Sequence, residues 1–284
     1  MRLVNHYRTK SFGAESSNKL SQLKNFPMSG SSNNSDLSII ISTFEMRFFE
    51  FTIPLISMLR KETSLPIFVM INGNYEKNNH NRTLEIFLFE LAKFSSIYPT
   101  TFANFQGCAT LWNRGIINSD CKYNLILNDD ILIDSKSFLQ DLSIFEKLMM
   151  QNELVTINNT FSHFGISRRC IDDIGFFDEH FLGIGWEDTD YISRFESYYQ
   201  KPPTNIFLES FIHLRTETSE SDVKKDPNTK YSQFNREIFE YFYDGESPNK
   251  NQLTSKNPIT RKHLFIDPHP IWKFRNENYK KLQN

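Results

Sequence analysis

Two stretches of the chain gather side chains whose types and spacing suit chemistry. The first is Asn128-Asp129-Asp130, which follows the apolar run Leu125-Ile126-Leu127. Two adjacent carboxylates at the end of a buried strand repel each other unless a cation or solvent screens them. Hard divalent ions take oxygen ligands, and magnesium or manganese commonly bridges carboxylates to phosphates. Asn-Asp-Asp is also good turn chemistry after any strand. The second is Gly183-Ile184-Gly185-Trp186-Glu187-Asp188-Thr189-Asp190. Its glycines permit close backbone approach. Its Trp offers a flat face on which a sugar ring can stack, and its acids include candidates for a general base. The same acids suit a helix start, where Asp188 or Thr189 would cap and Glu187 would complement the dipole.

These residues need elements to position them. Residues 37–43 (LSIIIST) and 66–72 (PIFVMIN) read as buried strands, and 124–127 (NLIL) as another that runs straight into the acidic pair. Helical spacing of apolar residues marks 48–61, with Pro54 early, and 82–94, with Leu84, Phe87, Leu88 and Leu91 on one side. A further strand is expected at 101–105 and a short helix at 109–118. Beyond residue 154 the pattern loosens, with strands expected at 154–157 and 164–167 and a helix over 188–197. An apolar run follows toward 214, then an aromatic helix at 234–243. Strands alternating with helices predict an α/β fold with a mainly parallel, doubly wound sheet flanked by helices. In such sheets ligands bind beyond the carboxyl ends of the strands. Thr43, Glu45, Asn72, Asn74 and the 128–130 triplet should therefore lie along one rim.

Composition narrows the classes. With 284 residues the chain is long enough for one large α/β domain plus an appendage, or for two small domains. A formal charge of −2, from 32 basic and 34 acidic residues, gives no reason to expect a nucleic-acid groove. The three cysteines, Cys108, Cys121 and Cys170, match no zinc spacing and read as free thiols. No apolar run approaches the ~20 residues that a membrane span needs. No signal peptide is apparent, so a cytoplasmic location with optional peripheral membrane contact is expected. Residues 1–36 read as an arm and linker, 37–215 as the main domain, and 216–284 as a polar loop with a C-terminal extension.

The ordered set Thr43-Phe44-Glu45, then LILNDDI (125–131), then IGFFDEHFLGIGWEDTDYISR (174–194) resembles the GT-A glycosyltransferases, most of all the inverting family 2. The resemblance covers about residues 37–215. It implies a Rossmann-like GT-A domain with a nucleotide-sugar half (about 37–131) and an acceptor half (about 132–215). It also implies Mn2+ or Mg2+ as cofactor and transfer from a nucleoside-diphosphate sugar, UDP by default, to a hydroxyl of a glycan or lipid-linked acceptor in surface polysaccharide synthesis. Carried over by position, Asp130 is a metal ligand, and Asp129 contacts ribose or metal-bound water. Asp188 is the general base, oriented or assisted by Glu187. Thr43, Glu45, Asn72 and Asn113 fall at the donor, and Trp186 at the acceptor. His213 stands where a late imidazole completes the metal site in relatives; a strand-edge His is the plain alternative.

Several positions depart from the family pattern. Asn128 replaces the first Asp, Glu45 the usual Asn, and Trp112 precedes Asn113 where a basic residue is usual. Arg168, Arg169 or Arg194 would either hold a phosphate or an acidic acceptor or form surface salt bridges. His163 and His180 could approach the acceptor. The loop 216–230 is placed to close over the donor. Two rivals stand beside this reading. One is a degenerate GT-A domain that binds a glycan or a partner without catalysis. The other is a nucleotidyltransferase, disfavoured because Thr43-Phe44-Glu45-Met46-Arg47 has no glycine.

Overall fold

The structure, a computed structural model, describes residues 36–72, 82–93, 96–102, 105–214 and 231–243. The arm up to residue 35, Asn74, the 216–230 loop and the 246–284 tail lie outside the described residues.

The acidic pair and its neighbours hang from a seven-stranded sheet. Its strands are β1 (Leu37–Phe44), β2 (Ile67–Asn72), β3 (Ile97–Thr101), β4 (Tyr123–Asn128), β6 (Leu154–Ile157), β7 (Thr160–Ser167) and β8 (Thr204–Ile206), in the order β3-β2-β1-β4-β7-β6-β8. The pairings β1·β2, β1·β4, β2·β3 and β6·β8 are parallel, and β7 alone runs against its neighbours. Register places Thr43 opposite Ile71, and Ser42 opposite Asn128, so the ends of β1, β2 and β4 form one rim. Two short strands, β5 (Ile131–Ile133) and β9 (Phe211–His213), pair antiparallel at that rim, with Ile131 opposite His213.

Helices cover both faces. On one side Ile39 and Ile41 of β1 pack with α1 (Ile53–Glu62), α2 (Arg82–Leu91) and α4 (Phe138–Met149) through Leu55, Phe87 and Phe145. On the other, Ile40 packs with α3 (Cys108–Asn118), α5 (Arg168–Ile174) and α6 (Glu187–Tyr199) through Leu111, Ile171 and Tyr191. This alternation along β1 is why its sequence is apolar throughout: both pleat faces are buried. A 3-10 turn (Glu45–Arg47) and a π turn (Phe48–Thr52) lead from β1 into α1.

Most elements lie where the sequence places them, with two corrections. The third strand is at Ile97–Thr101, not 101–105. It is an edge strand, half-exposed, and carries Pro99, which an edge tolerates. The helix expected from Asp188 begins at Glu187 and is capped by neither Asp188 nor Thr189, because the N-cap position is Trp186. The last helix, α7 (Ser232–Tyr243), packs Ile238 and Phe239 onto Phe181. It therefore belongs to the same packed body as the strands. Cys108, Cys121 and Cys170 form no disulfide.

Candidate active site

Asp129 and Asp130 follow β4 directly and are 3% and 5% exposed. Adjacent β1 anchors the first of them: Thr43 donates from its hydroxyl to Asp129 Oδ2 at 2.7 Å, and Thr52 donates to Thr43 Oγ1 at 2.6 Å. A guanidinium lies across both carboxylates. Arg47 Nη2 is 2.6 Å from Asp129 Oδ1 and 3.2 Å from Asp130 Oδ2. Arg47 was not expected here, although a lone arginine just beyond β1 in a Phe-rich segment is a visible signal.

The β5·β9 pair brings His213 to the same place. Leu214 donates its backbone N–H to Asp130 O at 2.9 Å, and His213 Nε2 stands 3.5 Å from Asp130 Oδ1. Behind it lies His163 on β7, its ring 5.5 Å from that of His213. Its Nδ1 accepts weakly from the Asn128 N–H at 3.4 Å. Burial, reinforced by His213, pushes the His163 imidazole down to about 4, so it is neutral at physiological pH. His163 thus backs the acidic pair from inside the sheet.

The loop that leads to the second acidic stretch packs against Phe44 at the end of β1 and against the start of α3. Gly107, just before α3, lets the loop before α6 lie flat on it. A Cβ there would sit 2.8 Å from Phe181 O, and Cys108 donates its N–H to Gly183 O at 2.8 Å. Gly183, Gly185 and Trp186 then take positive φ angles of 61°, 113° and 74°. For Trp that backbone costs about 1–3 kcal/mol, the kind of strain found at functional sites. Asn235 of α7 holds the turn: it accepts from Leu182 N at 2.8 Å and donates to Leu182 O at 2.7 Å and Gly185 O at 2.8 Å. Leu182 packs with Phe105 and Tyr231, and Phe44 at the end of β1 joins them. Continuous contact therefore runs from Asp129 through Thr43 and Phe44 to the loop that carries Glu187 and Asp188.

The two acids differ in setting. Glu187 is buried, and burial together with the neighbouring Asp188 charge pushes its carboxyl up to about 8. Its Oε2 has no hydrogen-bond partner among the described residues. Asp188 is half-buried, and its Oδ1 accepts from the Thr189 N–H at 2.7 Å. Trp186 is half-buried with its ring 5.0 Å from that of Phe239, so part of its surface is covered by α7. Glu45 is half-buried on the turn after β1.

Three sets of expected contacts are redirected by the structure. Both ends of the Asn72 amide are engaged by Gln106, donating to its carbonyl at 2.8 Å and accepting from its N–H at 2.7 Å. Asn113 is fully buried, bonded to the Phe177 backbone and to Glu179 Oε1 at 3.1 Å. Both are internal clips rather than surfaces offered to a donor. The three arginines weighed between holding a phosphate or acidic acceptor and forming surface salt bridges all have partners within the chain. Arg194 is buried against Asp190 at 3.0 Å and the Ile174 and Phe176 carbonyls. Arg168 donates to the Ile116 and Ser119 carbonyls, and Arg169 pairs on the surface with Glu153 and Asp173. His180 is turned inward on Asp178 at 2.6 Å.

Among the described residues no three His, Cys, Asp or Glu side chains form a metal cluster by themselves. Asp130 Oδ1 and His213 Nε2 nevertheless face each other closely enough to share an ion. Magnesium-type sites commonly use one or two protein ligands and complete the shell with substrate phosphates and water. The residues therefore fit an ion that arrives with a diphosphate. Among the described residues no helix is long and apolar enough to cross a membrane.

No family model and no curated protein matches the chain. Solved structures do. The chain is similar to a mannosyltransferase from Pyrobaculum calidifontis, solved with GDP-Man and Mn2+, at 9% identity and a TM-score of 0.52, covering 92% of this chain and 79% of that one. It is also similar to S. aureus TarS residues 1–349, solved with UDP, at 14% identity and a TM-score of 0.47, covering 82% and 73%. The sheet order and the first of these likenesses show the GT-A glycosyltransferase fold.

Proposed function

We propose that this GT-A chain transfers a sugar from a nucleoside-diphosphate donor to a hydroxyl of a glycan or lipid-linked acceptor, with inversion, as a step in surface polysaccharide synthesis. What supports the reading is a packed connection between the two acidic stretches. The buried Asp129–Asp130 pair with His213, and the strained turn that launches Glu187 and Asp188, are joined by unbroken packing.

Asp130 and His213 would hold a divalent ion, Mn2+ or Mg2+, which when bound offsets negative charge on the departing diphosphate. Asp129, tied to Thr43, lies beside them to meet the ribose or an ion-bound water. Glu45, on the turn after β1, would meet the donor, and UDP is the first nucleotide to try. Asp188 accepts the proton of the acceptor hydroxyl as that oxygen attacks the anomeric carbon from the face opposite the diphosphate. One displacement inverts the configuration. Glu187 keeps its proton at neutral pH, so it would orient the acceptor or Asp188 by offering a hydrogen bond rather than compete with Asp188 as base. The exposed part of Trp186 is offered to the acceptor ring.

The test is turnover with a panel of nucleotide-sugars, Mn2+ and glycan acceptors, followed by NMR. Release of a nucleoside diphosphate with an inverted glycoside supports the reading. Release of pyrophosphate would move the chain to the nucleotidyltransferases, and binding without turnover across the panel would make it a binding module.

A further inference from the structure

Asp129 and Asp130 are adjacent and buried, and among the described residues the Arg47 guanidinium reaches both. Arg47 stands at ion-pair distance from both carboxylates, and its Cζ lies 4.8 Å from the centre of the Phe51 ring. The contacts are close in charge but not aligned as hydrogen bonds. Arg47 Nε and Nη2 are buried and find no acceptor among the described residues. A partly exposed guanidinium with two buried, unmet donor atoms is poised for oxygen atoms, and its planar fork matches phosphate.

The charges set a conflict. A divalent ion at Asp130 and His213 would sit a few ångströms from a permanent positive charge. An incoming diphosphate removes the conflict, because its oxygens accept from the guanidinium and neutralise both cations. We propose that Arg47 is the resident counter-cation of the Asp129–Asp130 pair, which weakens ion binding by the protein alone and passes to the donor diphosphate when donor and ion enter together. The inference rests on the glycosyl-transfer reading for the identity of the diphosphate. It adds to that reading a donor-binding residue and an order of loading.

The test is isothermal titration of the full chain and its Arg47→Gln and Arg47→Lys variants, first with MnCl2 alone, then with inorganic pyrophosphate in excess Mn2+. Arg47→Gln should bind Mn2+ alone roughly tenfold or more tighter than the native chain, since a charge this close is felt even under strong screening. It should bind pyrophosphate more weakly. Arg47→Lys keeps the charge and loses the fork, so it should bind Mn2+ as the native chain does and pyrophosphate more weakly. Mn2+ affinity unchanged or weakened in Arg47→Gln, or pyrophosphate affinity retained in either variant, overturns the proposal. Should Arg47→Gln not fold, the pyrophosphate titration of Arg47→Lys decides alone. Neither titration needs a sugar, a base or an acceptor, so its failure is separate from failure of glycosyl transfer.

Discussion

Replacing Glu187 by Gln should change how stability depends on pH. The carboxyl is buried beside the Asp188 charge and holds its proton to about pH 8, against an ordinary value of 4.5. Between those two pH values the folded chain keeps a proton that the unfolded chain has lost. Stability therefore falls as pH rises through this window and levels off above about 8. At about 1.4 kcal/mol for each tenfold change in proton affinity, the full penalty has a ceiling of about 5 kcal/mol. Local opening to water reduces it, so a few kcal/mol is the working expectation. Gln keeps the shape and cannot ionise, so the variant lacks this fall. The assay is urea unfolding followed by circular dichroism at pH 5.5, 7 and 8.5 for both proteins. Comparing variant with native chain cancels His163 and every other group that titrates alike in both. The native chain should lose stability relative to Glu187→Gln from the first pH to the last. Parallel curves, or a native chain that gains on the variant, would refute the burial argument.

Three further substitutions probe the site and its supports. Asp188→Asn should cut turnover by about 10²–10⁴-fold, the usual worth of a general base, while donor binding by titration stays near native. Asn235→Ala removes the clamp on Leu182 and Gly185 and should lower kcat more than donor KM, with a loss of about 1–3 kcal/mol in urea unfolding for the buried carbonyls it strands. Within β7, Gly165→Ala would place a Cβ 2.4 Å from Phe145 Cζ and from Met149 Sδ, so the melting temperature should drop by an amount matching about 1–3 kcal/mol of overpacking.

The fold was readable where burial is two-sided and local. The runs that became β1, β2 and β4 are apolar throughout because helices cover both faces, and the acids after β4 stand out against them. The edge strand β3 was not, since Pro99 and half-exposed positions blur its pattern. Helix α4 was additional to expectation although Phe138, Leu142, Phe145 and Met149 carry helical spacing. The strands β5 and β9 are three residues each and pair across a long chain separation, so nothing local announces that His213 meets Asp130. The candidate site divides in the same way. Asp129, Asp130, Glu187 and Asp188 show their chemistry by residue type. Whether an amide such as Asn72 or Asn113 faces a ligand or the interior depends on its partners in space, and here those partners are Gln106, Phe177 and Glu179. Arg47 is the converse case, a side chain whose importance comes only from where the turn after β1 aims it.

The most direct test is a crystal structure of the chain with UDP and Mn2+. The diphosphate should lie over the ends of β1 and β4, the ion on Asp130 and His213, and the Asp188 carboxylate should face the open side where sugar and acceptor would meet. A diphosphate bound away from Asp130, or an Asp188 side chain walled off from it by packed apolar groups, would contradict this arrangement.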